Sequence, residues 1–185
     1  MLNNKLKLVL PSLLGLLFVA VMMAALMSQK GQVTPSALVG KPIPVFTARS
    51  LTSNTELVDN SVLQTNNKFT LLNVWASWCA VCQSEHDFLM QLAVKDEVRI
   101  IGLNYRDQRA AANQVLTTLG NPYVATIFDH DGKLALDIGV ISTPETYLLD
   151  NKGIVLFRYS GALDEVVWQH YFKPFIQKLL TKQAK

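Results

Sequence analysis

The alternation of apolar and polar positions divides the chain into one long apolar block and a series of shorter ones. From Leu8 to Met27 the sequence LVLPSLLGLLFVAVMMAALM carries no charge, and its length suits a helix crossing a hydrocarbon core. Pro11 and Gly15 would weaken that helix in water but are tolerated in membrane helices. Beyond a polar, small-residue linker the blocks shorten. Lys41–Ser50 (KPIPVFTARS) predicts an extended, proline-rich edge segment. Phe69–Ala76 (FTLLNVWA) is a near-continuous apolar run, as in a strand buried on both faces. Cys79–Val94 carries Val81, Phe88, Leu89 and Leu92 at roughly helical intervals. Val98–Leu103 predicts a second buried strand, and Arg106–Leu119 a helix stopped by Gly120 and Pro122. Ala125–Phe128 reads as a short strand, Asp129–Gly132 (DHDG) as a turn, and Glu145–Leu149 with Ile154–Tyr159 as a hairpin around DNKG. Asp164 caps a final amphipathic helix reaching Leu180, which Pro174 should bend or split.

Strands alternating with helices, then a hairpin and a closing helix, predict an α/β sandwich with a mixed sheet. The expected segments are an N-terminal flank (1–7), an anchor (8–27), a linker (28–40) and a domain (41–185). The domain is long enough to bury a core without disulfide staples.

Composition changes this picture mainly at the anchor. Half of the 185 residues are hydrophobic and the mean hydropathy is +0.22, an excess concentrated in residues 8–27. A cleaved signal peptide is the competing reading, but its apolar region would be shorter and followed by small residues at a cleavage site. Lys5 and Lys7 flank the short side of the run, so positive-inside logic holds the first residues in the cytoplasm and the domain outside it. The net charge of +3 arises at the two flanks of the run. Removing Lys5, Lys7 and Lys30 from 17 basic residues leaves 14, against 14 acidic ones. No basic cluster remains to bind nucleic acid.

The only two cysteines, Cys79 and Cys82, stand in NVWASWCAVCQSEH (Asn73–His86). A structural disulfide this short would close a very small loop and stabilise little. A structural zinc needs four ligands, and Cys79, Cys82 and His86 supply three. Covalent haem attachment needs His directly after the second cysteine, where Gln83 stands. Dithiol redox exchange remains. Cys79 falls between a buried strand and a helix, at a helix N-terminus that stabilises a thiolate. Cys82, one turn further in and expected to be the more buried, would resolve the mixed disulfide formed at Cys79. Trp78 would form an apolar rim, and Trp75, on the strand, fits core packing better.

WASWCAVC after a buried strand resembles the thioredoxin superfamily. STPETYLLD (Ser142–Asp150) resembles its second hallmark, a cis-proline facing the dithiol. The resemblance makes Pro144 that proline and has Thr143 present backbone polar groups to a bound peptide. Together with GVxxxPETYLLDxxG (Gly139–Gly153), the motifs resemble the membrane-anchored periplasmic thioredoxins of cytochrome c maturation, the CcmG/DsbE family. That likeness implies a thioredoxin-like three-layer sandwich with a mixed central sheet and an inserted strand–helix element, preceded by one N-terminal transmembrane helix. It implies a protein-disulfide reductase in the inner membrane, single-pass, with its C-terminal domain in the periplasm. Its substrate would be apocytochrome c haem-site cysteines or a maturation chaperone, and a DsbD- or CcdA-type transmembrane donor would re-reduce it. No cofactor is expected, and a monomer is the expected state.

The chain departs from the pattern twice. Ala80 and Val81 stand between the cysteines where this family is expected to carry proline after the first. Asn73 stands where thioredoxin has a buried aspartate, so proton transfer needs another carboxylate. Glu85, three residues past Cys82 on one helical face, and Glu145, after Pro144 and expected to lie across from the dithiol, are the candidates. The rival functions are an oxidase or isomerase of the same fold, a thiol peroxidase, and a copper chaperone using Cys79, Cys82 and His86 or His130. The peroxidase would need an activating Thr and Arg around its cysteine, and no such set surrounds Cys79.

Overall fold

Eight strands among the described residues form one mixed sheet in the order β1-β8-β7-β4-β5-β6-β2-β3. They are β1 (Gln32–Val33), β2 (Thr47–Ser50), β3 (Leu57–Asp59), β4 (Thr70–Trp75), β5 (Arg99–Tyr105), β6 (Ala125–Asp129), β7 (Glu145–Leu149) and β8 (Val155–Ser160). This computed structural model describes residues 4–27, 31–65, 69–95 and 98–183. Residues 1–3 of the expected N-terminal flank and 28–30 of the expected linker lie outside the described residues. Two compact units are present, Met1–Gly31 and Gln32–Lys185.

The first unit is the helix α1 (Asn4–Met27), with Pro11 inside it. Its side chains are described from 10 to 24 and are exposed, Leu13 at 57% and Phe18 at 65% among them. Among the described residues no helix is long and apolar enough to cross a membrane.

In the second unit, β4 sits centrally because all six of its residues are buried. It runs parallel to β5 and antiparallel to β7, while β5 and β6 are parallel. Side chains alternate between the two faces of a strand, and the two cores follow that alternation. Leu71 and Trp75 point to one face with Phe88, Leu89 and Leu92 of α2 (Ala80–Lys95) and with Ala112 and Leu116 of α3 (Arg109–Leu119). Leu72 and Val74 point to the other, with Ile43, Leu63 and residues of α4 (Lys133–Ile138). Helices on both faces of a mixed sheet give the expected three-layer, thioredoxin-like sandwich.

Several elements differ from the sequence reading. The KPIPVFTARS segment yields β2, which is not the edge, because β3 pairs outside it. Gln32–Val33, in the expected linker, pairs with Tyr159 and Ser160. Helix α4 was not expected; its six residues lie between the left-handed Gly132 and Gly139, too short for a periodic signal. Helix α3 begins at Arg109 rather than Arg106, since Arg106 has φ of 45° and cannot continue a right-handed helix. At the C-terminus the Asp164 carboxylate accepts the Val167 N–H (2.7 Å) and starts α5 (Glu165–Val167). A widened turn over Trp168–Phe172 leads into α6 (Lys173–Gln183). The N–H that Pro174 lacks would have bonded within that turn, so the expected break is absorbed by widening the helix.

The candidate dithiol site

β4 ends at Trp75 and the chain turns through Ala76–Trp78 before α2. The Cys79 N–H donates to the Ala76 carbonyl (3.2 Å), and the Cys79 carbonyl accepts the Gln83 N–H (3.2 Å). Cys79 is therefore the residue that caps α2. Its Sγ accepts the backbone N–H of Cys82 at 3.1 Å, the position a serine or aspartate oxygen takes at a helix N-cap. That N–H and the helix dipole both favour a negative sulfur. Cys79 and Cys82 are joined as a disulfide. The expected difference in burial is absent: Cys79 is 6% and Cys82 5% exposed. What distinguishes them is place, since Cys79 precedes the first turn of α2 and Cys82 lies within it.

The second wall of the site is the loop before β7. The Thr143–Pro144 peptide bond is cis, and the Thr143 carbonyl oxygen lies 3.7 Å from Cys79 Sγ. Pro144 is buried and Thr143 half-buried. Trp78 is 59% exposed at the rim, with its indole N–H donating to the Arg106 carbonyl (3.0 Å). Trp75 is core, stacked on Tyr123 with ring centroids 5.6 Å apart.

The two candidate carboxylates lie on opposite faces of the sheet. Glu85 faces the dithiol side and is 1% exposed, which rules out the surface role open to it in the sequence. Its carboxylate accepts the Leu163 N–H (2.8 Å) and the Asn73 amide (2.8 Å). Asn73 also donates to Thr146 Oγ1 (3.1 Å) and accepts the Tyr123 hydroxyl (2.8 Å). Burial pushes the Glu85 carboxyl up to about 7, against the pull of the Leu163 and Asn73 hydrogen bonds. Burial, with Glu85 beside it, holds the Tyr123 phenol well above its ordinary value. A buried carboxylate from α2 thus lies against Asn73.

Glu145 does not lie across from the dithiol. It shares the face of Tyr147 and Leu149, in the core opposite α2, while Thr146 and Leu148 take the dithiol face. There it forms a buried ion pair with Arg158 at 2.7 Å. It also accepts the N–H groups of Ile141 (3.1 Å) and Ser142 (3.0 Å), and the Tyr147 hydroxyl (3.0 Å). Glu145 consequently ties down the loop that carries Pro144. Arg158, Tyr123 and Thr146 were not singled out in the sequence, because their partners lie on other elements. An arginine inside the apolar Ile154–Tyr159 run was the one available signal.

His86 lies beside the end of α3, its Nε2 3.0 Å from the Gly120 carbonyl oxygen. His130 is 2.9 Å from the Asp107 carbonyl oxygen through Nδ1. Among the described residues no three His, Cys, Asp or Glu side chains are grouped to hold a metal ion.

The Redoxin family model matches residues 38–167. The thiol:disulfide interchange protein DsbE of Tatumella citrea is 49% identical over 143 residues, 77% of this chain and 76% of that protein. DsbE of Escherichia coli K12 is 44% identical over 150 residues, 81% and 80% of the two chains. DsbE of Vibrio cholerae is 41% identical over 183 residues, 97% and 98%. Among solved structures, a secreted thiol-disulfide isomerase of Corynebacterium glutamicum superposes with a TM-score of 0.64 at 22% identity, covering 81% of this chain and 93% of its own. A putative DsbE of Chlorobium tepidum gives 0.61 at 22%, covering 77% and 96%. These last two show the fold. With the paired cysteines at the α2 cap, the relatives establish that the chain belongs to the DsbE (CcmG) family of thiol:disulfide interchange proteins.

Proposed function

We propose that this thiol:disulfide interchange protein works as a reductant, tethered by α1 to the inner membrane with its domain in the periplasm. The observation that carries the chemistry is the Cys79 sulfur at the α2 cap, 3.1 Å from the Cys82 nitrogen and beside the Thr143 carbonyl. In the reduced protein the Cys79 thiolate attacks one sulfur of a partner disulfide. That S–S bond breaks, the other partner sulfur leaves as a thiolate, and a mixed disulfide forms. Cys82 then loses its proton and attacks the Cys79 sulfur. The second partner thiolate is released and the Cys79–Cys82 disulfide remains. The partner gains two electrons and takes up two protons.

Glu85 is the group proposed to take the Cys82 proton. It lies three residues on along α2, and a carboxyl near neutrality is matched to that transfer. Trp78, Thr143 and Pro144 form the surface against which the partner docks. Glu145 is assigned the support of that surface rather than a proton. The partner proposed from the family resemblance is one of cytochrome c maturation: apocytochrome c haem-site cysteines, or a chaperone that holds them. A transmembrane donor of the DsbD or CcdA type would return the electrons, since an oxidising compartment offers no thiol pool. The exposed apolar side chains of α1 support the tether, which raises the effective concentration near such a donor.

Equilibration of the domain with glutathione tests the direction of transfer. A potential at the reducing end supports a reductant, and one near that of strong disulfide-forming proteins makes this an oxidase. The Cys82→Ala variant should trap its partner at Cys79, whereas copper bound to the purified reduced domain would favour the copper-chaperone reading.

A further inference from the structure

One buried carboxylate near the dithiol is used by none of the steps above. Asp107, in the turn between β5 and α3, is 3% exposed. Its Oδ2 accepts the Ser77 backbone N–H at 2.5 Å and the Asn104 amide at 2.9 Å. Its Oδ1 accepts the Ser77 hydroxyl at 2.6 Å and the Gln108 N–H at 2.7 Å. Both oxygens thus grip a single residue, two positions before Cys79. The residue before Asp107 grips the next one: the Arg106 carbonyl accepts the Trp78 indole N–H (3.0 Å). Arg106 adopts φ of 45°, a left-handed conformation uncommon outside glycine and seen where a site holds its backbone in a fixed shape. On its outer side the turn is held by His130, whose Nδ1 lies 2.9 Å from the Asp107 carbonyl oxygen.

We propose that Asp107 is the positioning residue of the dithiol loop, fixing Ser77 and, through the Arg106–Asp107 turn, Trp78, so that Cys79 and the indole meet a docking disulfide in one geometry. The proposal rests on thiol:disulfide exchange at Cys79 and adds the element that aims it. Ser77 cannot move without breaking charge-assisted hydrogen bonds, which are the strong ones, and the Trp78 indole cannot move without breaking its bond to the Arg106 carbonyl. Preorganisation of this kind matters because a misplacement of the order of an ångström is enough to cost a reaction heavily. The second Oδ2 donor makes the carboxylate specific. An asparagine can present only one oxygen to these four N–H and O–H donors, and its own amide would face two of them.

The test uses the full chain, reduced, with a synthetic peptide carrying an oxidised C-x-x-C-H disulfide. Rates are followed by stopped-flow tryptophan fluorescence across pH. Asp107→Asn should lower the plateau rate, where Cys79 is fully ionised, by about tenfold. Ser77→Ala should lower it by less, and the double variant should be no slower than Asp107→Asn alone, because both changes act through one contact. Trp78→Phe, which keeps a ring but loses the N–H, should move in the same direction. A folded Asp107→Asn protein with a wild-type plateau, or losses that multiply in the double variant, overturns the proposal. If Asp107→Asn does not fold, Ser77→Ala and Trp78→Phe decide: wild-type plateaus in both overturn it, and reduced plateaus support it. An absence of exchange in the wild type at every pH would instead overturn the reading of Cys79 on which it rests.

Discussion

Glu85 is a carboxyl whose burial inside the fold raises it well above its ordinary value. Its folded value of about 7 stands above the 4.5 of a free glutamate. Between those two values the folded protein binds more protons than the unfolded chain, so stability must fall as pH rises through that window. The full loss by the upper end is on the order of 3 kcal/mol. Glu85→Gln should therefore flatten the pH dependence of urea unfolding between about pH 4.5 and 7, and the same variant should slow release of partner from the mixed disulfide. A slope unchanged by the substitution would show that Glu85 is already ionised there. Asn73 bears on why Glu85 is the group proposed to take the Cys82 proton. It occupies the position of a thioredoxin aspartate, yet its amide can only donate to the carboxylate that α2 brings in.

At the scale of elements, the loop that carries Pro144 is fastened from behind. Glu145 stands at the start of β7 and Arg158 on β8, and their ion pair is 0% and 3% exposed. Removing one partner strands the other charge without water. Arg158→Met should cost about 3–5 kcal/mol in urea unfolding of the reduced protein, and it should slow exchange by freeing Ile141 and Ser142. A loss below about 1 kcal/mol would mean that the pair behaves as an exposed bridge.

Gly102 makes a second such test, on the dithiol face. An added Cβ would lie 2.9 Å from Trp75 Nε1 and 3.1 Å from Tyr123 Cδ2. Gly102→Ala should destabilise by about 1–3 kcal/mol through overpacking, measured by the same unfolding, and a neutral result would show that the Trp75–Tyr123 stack yields. These contacts mark the boundary of what the sequence discloses. β4, α2, β5 and the final hairpin were legible because each is long and apolar with a single period. The dithiol was legible through spacing, and Pro144 through the resemblance of STPETYLLD to a family motif. The side of the sheet that Glu145 takes was not, since a strand residue's face depends on the register of its neighbours. Asp107 and Tyr123 likewise act across elements that no local pattern joins.

The whole molecule comprises a helix with apolar side chains exposed to its surroundings and a domain with its own core on both faces of the sheet. The two are separate compact units, divided in the sequence between Gly31 and Gln32. With α1 as the proposed tether, deleting residues 1–31 should leave the thermal midpoint and the exchange chemistry of the domain unchanged while moving the protein from the membrane to the soluble fraction. A domain that stays with membranes would assign the attachment elsewhere.

All of this converges on the sulfur that caps α2. The most direct measurement is the pH dependence of iodoacetamide alkylation of the reduced protein, with the modified cysteine identified by peptide mass. Cys79 should react first, with a midpoint below the ordinary thiol value of about 8.5, and Cys82 should stay unmodified in the folded state. A midpoint at or above that value, or first modification at Cys82, would contradict the assignment of Cys79 as the attacking thiolate.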